Sequence, residues 1–285
     1  MPQTPKPTSY SYGEAYQQEQ TEKHRNRRTN HWKARIALGH NLIDTHVLPR
    51  LSGKSSGQIT TLDVGCSIGT MAIEMARRGF KSYGVDFDGA ALRIAKDLAR
   101  EESVEVELIE GDVAALPSSA GGVDIAVCFD IFEHLHDDEL GALLQSVRRS
   151  LNPDGALVFY TFPLQYDYLF FSRDVLHWPL VPFRGLSPAR FERLARAYAS
   201  IIDAVLLIMT GESYRERIKK AAHCNPTTKK RLIDILQRAG YEIGFIETGS
   251  IYPFKPEIVK RFRMQPVADR HLFGVVYPSE AMHGQ

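Results

Sequence analysis

The sequence is poor in cysteine, with three residues, Cys66, Cys128 and Cys224, in 285. They are too few and too scattered for a disulfide framework or a zinc knuckle, and they point to a reduced, cytoplasmic protein. Long apolar runs are missing too. The best candidate, Ile201–Met209, is nine residues long and contains Asp203, well short of the ~18 residues of a transmembrane helix. The N-terminal MPQTPKPTSYSYG has no apolar stretch of the kind a signal peptide needs. No charge of one sign dominates: 35 Lys and Arg face 34 Asp and Glu, for a net +1. That does not fit a chain coated in basic charge for nucleic acid. No internal repeat is present. The remaining composition, 44% hydrophobic and 24% charged, is that of an ordinary globular protein. The length suggests about two units, or one domain with a large insertion.

Charge is segregated along the chain. Residues 101–139 hold twelve acids and no Lys or Arg, whereas 19–35 carry a net +4 and 212–231 a net +5. Basic runs of this kind are either solvated faces or surfaces for an anionic substrate.

Residues 60–162 alternate between two periodicities. Apolar runs at 60–64, 81–86, 104–110, 122–130 and 155–162 read as strands, and 70–78, 88–102 and 137–151 as helices. Gly79 stands where a helix cap belongs, and Asn152-Pro153-Asp154-Gly155 is a turn. Residues 1–18 are expected to be mobile unless they fold over a ligand, and the spacing of Trp32, Ile36, Leu38, Leu42, Ile43 and Val47 predicts a helix over about 21–51. The rhythm breaks at 163–226, rich in aromatics and proline, and resumes with a helix at 227–240 and strands at 241–249 and 271–278. The pattern predicts an α/β fold built on a doubly wound, mostly parallel sheet of seven strands. Four segments follow: an N-terminal arm and helix at 1–51 acting as a lid, a core at 52–162, a helical, aromatic-rich cap insertion at 163–226, and a completion of the sheet at 227–285.

The first strand runs into Asp63-Val64-Gly65-Cys66-Ser67-Ile68-Gly69 and then directly into helix. Small residues in such a turn let a ligand approach the backbone and expose amides at a helix start. A glycine loop alone also serves dinucleotides. Here Asp86 ends the second strand, where a carboxylate accepts from ribose hydroxyls, and Asp112 follows the third, where it can accept from an adenine amino group. Acids at three consecutive strand ends fit a nucleoside without a pyrophosphate.

These residues, with FDIFEHLHD (129–137) and LNPDGALVFYTF (151–162), resemble the class I S-adenosylmethionine-dependent methyltransferases, and the ubiquinone-biosynthesis O-methyltransferases among them. The resemblance covers about 60–162 and, more loosely, 227–278. It implies a Rossmann-like sheet with an antiparallel last strand and a helical lid insertion. It also implies S-adenosyl-L-methionine as cofactor, with S-adenosyl-L-homocysteine as product. By position, Asp63, Gly65, Ser67 and Gly69 form the methionine-side loop, Asp86 holds the ribose, Asp112 and Val113 the adenine, and Asp130 lies beside the cofactor. Ser67 departs from the family, many of whose members have glycine there. Arg35, one turn after Trp32, is the candidate clamp on the methionine carboxylate. An acid-x-x-Glu-His segment like Asp130-x-x-Glu133-His134 is linked to a divalent ion in the ubiquinone enzymes; no metal is expected here, since aspartate replaces a longer glutamate.

Methyl transfer requires alignment of nucleophile and methyl, exclusion of water and often removal of a proton. His134 is the candidate base, with Glu133 and Asp130 expected to orient it. In the cap, Tyr166, Tyr168, Phe170, Phe171, His177, Trp178 and Phe183 are candidates to line a substrate pocket, and His177 and His223 are lesser candidates for a base. Tyr12 and Tyr16 are expected to close over the cofactor. The reading is a cytoplasmic methyltransferase acting on a small molecule, on oxygen above other nucleophiles. An RNA methyltransferase using the basic arms at 19–35 and 212–231 is the alternative, disfavoured by the acidic 101–139 segment. A non-catalytic cofactor binder is a third. Oligomeric state is left open.

Overall fold

The structure, a computed structural model, describes residues 13–29, 31–112, 122–162, 185–211, 227–249 and 271–279, together with 179–180, 182–183 and 225. Seven strands form one sheet: β1 (Thr60–Val64), β2 (Lys81–Asp86), β3 (Val106–Glu110), β4 (Val123–Phe129), β5 (Leu151–Thr161), β6 (Tyr241–Gly249) and β7 (His271–Pro278). Their order is β3-β2-β1-β4-β5-β7-β6. β1 to β5 pair in parallel, and β7 inserts antiparallel between β5 and β6. The order reverses between β1 and β4, the point at which open α/β sheets bind ligands.

Alternate strand residues serve opposite faces, which is why the central strands are apolar throughout. Ala126 and Cys128 of β4 and Leu157 and Phe159 of β5 pack with Leu140, Leu143, Leu144 and Val147 of α5 (Asp137–Ser150). Helix α7 (Lys229–Arg238) adds Leu232, Ile235 and Leu236 to that face. On the other face, Ile125, Val127, Ala156 and Val158 meet Leu42, which ends α2 (His31–Leu42), and Met71 and Met75 of α3 (Thr70–Arg77). α4 (Gly89–Glu101) covers the β2–β3 end with Ala91, Leu98 and Ala99.

The N-terminal region differs from its expectation. Instead of one helix over 21–51 there are two, α1 (Glu14–Arg25) and α2, separated by a turn at 26–29. A π-helical turn, Ile43–Val47, and a 3-10 turn, Leu48–Leu51, follow α2. Residues from Glu14 onward are thus helical, not mobile coil. α1 is polar throughout and buries only His24, so hydrophobic periodicity could not reveal it. β5 also begins earlier than expected: Leu151 pairs with Val123 and the ladder resumes at Ala156 opposite Ile125, which makes the 152–155 turn an irregularity within the strand. In the cap segment, α6 (Pro188–Thr210) exposes Ile201, Val205, Ile208 and Met209. Among the described residues no helix is long and apolar enough to cross a membrane.

Candidate active site

A cleft of about 490 Å³ opens at the carboxyl ends of the parallel strands, on the point where strand order reverses, and is lined among others by Asp63, Gly65, Ser67, Asp86, Asp130, Glu133 and His134. Such a volume suits a small-molecule site. α1 lies over it, presenting Tyr16, Gln20 and Lys23, and α2 contributes Trp32 and Arg35.

The glycine loop is built by left-handed backbone at Gly65, Ser67 and Gly69, with φ of 69°, 49° and 76°. At Gly65 a side chain has no room: a Cβ would stand 2.2 Å from Ile131 Cδ1. Ser67 tolerates the left-handed region at a cost of about 1 kcal/mol, and its amide donates to Asp86 Oδ2 at 2.7 Å. The amides of Gly65 and Cys66 donate to the Val85 carbonyl at 2.8 and 2.9 Å. Three loop amides are therefore turned to β2. What the loop offers is close approach to a backbone without side-chain bulk.

Each acid has a distinct employment. Asp63 is buried and accepts from the Ala72 amide at 3.0 Å, fastening the first turn of α3. Burial pushes its carboxyl up to about 7, against that hydrogen bond and with help from Asp86. Asp86 accepts from Ser67 on one oxygen and from the Asp88 amide on the other, at 2.9 Å. Burial raises its carboxyl while these amides oppose the rise. One hydrogen bond per oxygen leaves further lone pairs for a ligand. Asp88 caps α4 through Ala90 and Ala91 and receives Gln17 Nε2 at 3.2 Å.

Asp130 takes a left-handed φ of 57° and forks to Arg35: Nε to Oδ2 at 2.7 Å and Nη2 to Oδ1 at 3.1 Å. The guanidinium sits 5.1 Å from the Tyr160 ring centre and 5.7 Å from that of Trp32. Arg35 therefore meets a carboxylate of its own chain, inside the cleft where a ligand carboxylate was expected. Neither Asp130 nor Glu133 is hydrogen-bonded to His134 as expected. Glu133 is 1% exposed; its Oε2 accepts from Thr161 Oγ1 at 2.9 Å, and its Oε1, without a hydrogen-bond partner, lies 4.0 Å from His134 Nε2. Burial, then Asp130, raises the Glu133 carboxyl well above the ordinary range. His134 ends a 3-10 turn, Phe132–His134, with its side chain 28% exposed at the cleft.

Asp112 stands exposed beyond β3 and does not line the cleft. Val113, Tyr12, His223 and the cap residues Tyr166, Tyr168, Phe170, Phe171, His177 and Trp178 lie outside the described residues. Phe183 is described and exposed, away from the cleft lining. Phe87, half exposed in the cleft beside Asp86, was missed; an aromatic directly after the strand-end acid was the signal. No group of three His, Cys, Asp or Glu side chains among the described residues could hold a metal ion, and Asp130 and Glu133 are turned to separate partners, Arg35 and Thr161.

The chain is similar to known proteins. A family model described as a methyltransferase domain matches residues 61–155. Residues 61–155 thus carry a methyltransferase domain, similar to that of the class I S-adenosylmethionine-dependent methyltransferases. It is 32% identical over 164 residues to a ubiquinone biosynthesis O-methyltransferase of Alkalilimnicola ehrlichii, covering 54% of this chain and 63% of the relative. A second such enzyme, from Acinetobacter baumannii, is 28% identical over 195 residues, covering 66% and 77%. Over relatives matched at 32–34% identity the chain spans 41–63% of their length. A methyltransferase structure from Clostridium acetobutylicum superposes with a TM-score of 0.57 at 13% identity, over 93% of this chain and 99% of that one, and shows the shared fold. The methyltransferase cleft fits its cofactor in two respects: a loop without side-chain bulk at Gly65, and a strand-end carboxylate at Asp86 with acceptor capacity in reserve.

Proposed function

We propose that this methyltransferase transfers the methyl group of S-adenosylmethionine to a hydroxyl oxygen of a small molecule, with His134 as general base. The observation that carries the reading is that His134 lines the same cleft as the glycine loop and Asp86, at the reversal point of the sheet. The cofactor supplies an activated sulfonium methyl. Asp86 receives the ribose hydroxyls, and Phe87 offers a ring face to the adenine, with Asp112 an acceptor at the neighbouring strand end. Trp32, Phe129 and Phe162 line the acceptor end with apolar surface that excludes water. Glu133, with Oε1 4.0 Å from His134 Nε2, backs the base. As that oxygen bonds to the methyl carbon, its proton passes to the His134 imidazole, which takes protons near neutrality. The cap at 163–226 selects the acceptor.

The basic arm at 19–35 supports a small substrate over RNA. Arg25 pairs with Glu101, Arg27 with Glu74 and Glu102, Arg35 with Asp130, and Lys23 with Glu19. These four cations neutralise the protein's own acids, which leaves less of the arm's charge for phosphates. Purified protein with methyl-labelled S-adenosylmethionine and a cell extract tests the reading. Label is expected in low-mass, nuclease-resistant material; label only in nuclease-sensitive material would overturn it.

A further inference from the structure

The sequence of α1, EAYQQEQTEKHR, contains no apolar stripe. A twelve-residue helix is marginal by itself, and most helices are held by an apolar face. α1 has another fastening. Its residues Tyr16, Gln20 and Lys23, spaced on one helical face, line the cofactor cleft, while His24 on the adjoining face is 1% exposed. His24 Nδ1 lies 3.1 Å from Thr70 Oγ1 and Nε2 2.9 Å from Glu102 Oε1. A carboxylate can only accept, so Nε2 carries a proton toward Glu102, and in the neutral imidazole Nδ1 accepts from the threonine hydroxyl.

Three residues on, Arg27 is 5% exposed and binds Glu74 Oε1 through Nε at 2.5 Å and Glu102 Oε2 through Nη2 at 2.6 Å. Arg77 adds a third contact to Glu102 at 2.8 Å. Thr70 is the first residue of α3, directly after Gly69, and itself lines the cleft. The cluster thus joins α1 to the helix start that closes the glycine loop.

We propose that His24 and Arg27 are positioning residues that latch α1 as a lid over the bound cofactor, so that cofactor affinity depends on this polar cluster rather than on hydrophobic packing. The inference rests on the cleft being the cofactor site. The groups facing His24 are Arg27 from its own segment, Thr70, Glu74 and Arg77 from α3, and Glu102 at the end of α4. Burial, and then Arg27, hold the imidazole below its ordinary value. A proton gained when the lid opens therefore favours the open state. The latch weakens as pH falls below the ~6.5 of a solvated histidine and is intact above it.

The test uses the full chain and S-adenosylhomocysteine as probe. Affinity is measured by calorimetry from pH 5.5 to 8, with amide hydrogen exchange over residues 14–29 and, as an internal control, over β4. Arg27→Met should weaken binding about tenfold or more, since apparent affinity scales with the closed fraction. It should also speed exchange in 14–29 without changing β4, and raise the KM for S-adenosylmethionine while kcat is kept. Arg27→Lys, which reaches one carboxylate at a time, should recover part of the affinity. His24→Gln keeps a donor and an acceptor but cannot titrate, and should remove the acid-side loss that the parent protein shows. Parent-like affinity in Arg27→Met, or in Arg27→Lys and His24→Gln an affinity and acid-side profile identical to the parent, would overturn the latch. Failure of the parent protein to bind the probe at all would overturn the cofactor cleft, and with it the lid.

Discussion

Replacing Gly65 by alanine puts a methyl group where the loop has no space. The new Cβ would lie 2.2 Å from Ile131 Cδ1 and 3.1 Å from its Cγ1, at a backbone φ of 69°. The left-handed backbone costs an L-residue about 1 kcal/mol. Among the described residues Ile131 is the only neighbour met and its far end can rotate, so repacking adds about 1 to 2 kcal/mol, in the range of modest overpacking. The total is about 2 to 3 kcal/mol in urea unfolding. Function should suffer alongside, because Ile131 adjoins Asp130 and lies two residues from Glu133. Affinity for S-adenosylhomocysteine should fall with stability. The double variant Gly65→Ala/Ile131→Ala separates the two costs: without the isoleucine the clash is gone, and the second substitution should be about 1 kcal/mol less harmful in the Gly65→Ala background than alone. A Gly65→Ala protein within about 0.5 kcal/mol of the parent, or strictly additive substitutions, would refute the account of the loop.

Three further outcomes are expected. His134→Ala should lower kcat by about 10² to 10⁴, the usual share of a general base, while leaving cofactor affinity by calorimetry unchanged; parent-like turnover would remove it as the base. Asp86→Ala should abolish measurable binding of S-adenosylhomocysteine, and unchanged affinity would sink the ribose assignment. Asp63 is an acid whose folded value is raised, to about 7, so its ionisation opposes folding. Its contribution is most favourable at low pH and declines as pH climbs from about 4 to about 7. Asp63→Asn, with a neutral acceptor for the Ala72 amide, should thus gain stability relative to the parent in urea titrations at pH 8 compared with pH 5. An unchanged gap between the two pH values would contradict the burial argument.

The sequence by itself determined what depends on near neighbours. The apolar runs VDIAVCF and GALVFYT announced strands, and the Asp63–Gly69 turn followed by Asp86 announced a nucleoside site. Both signals are local because strand period and turn chemistry are set within a few residues. The tertiary structure decided which charge meets which. Arg35 and Asp130 are 95 residues apart, Arg27 and Glu102 are 75 apart, and Glu133 finds Thr161 across 28. A charged side chain carries no mark of its partner, so these residues read equally well as solvated faces, anion clamps or orienting acids. The same reason hid α1. Helices held by apolar stripes show in the sequence because the stripe repeats, whereas a helix held by polar contacts of Gln17, His24, Arg25 and Arg27 to distant carboxylates shows only when folding has brought the other ends of those contacts to it.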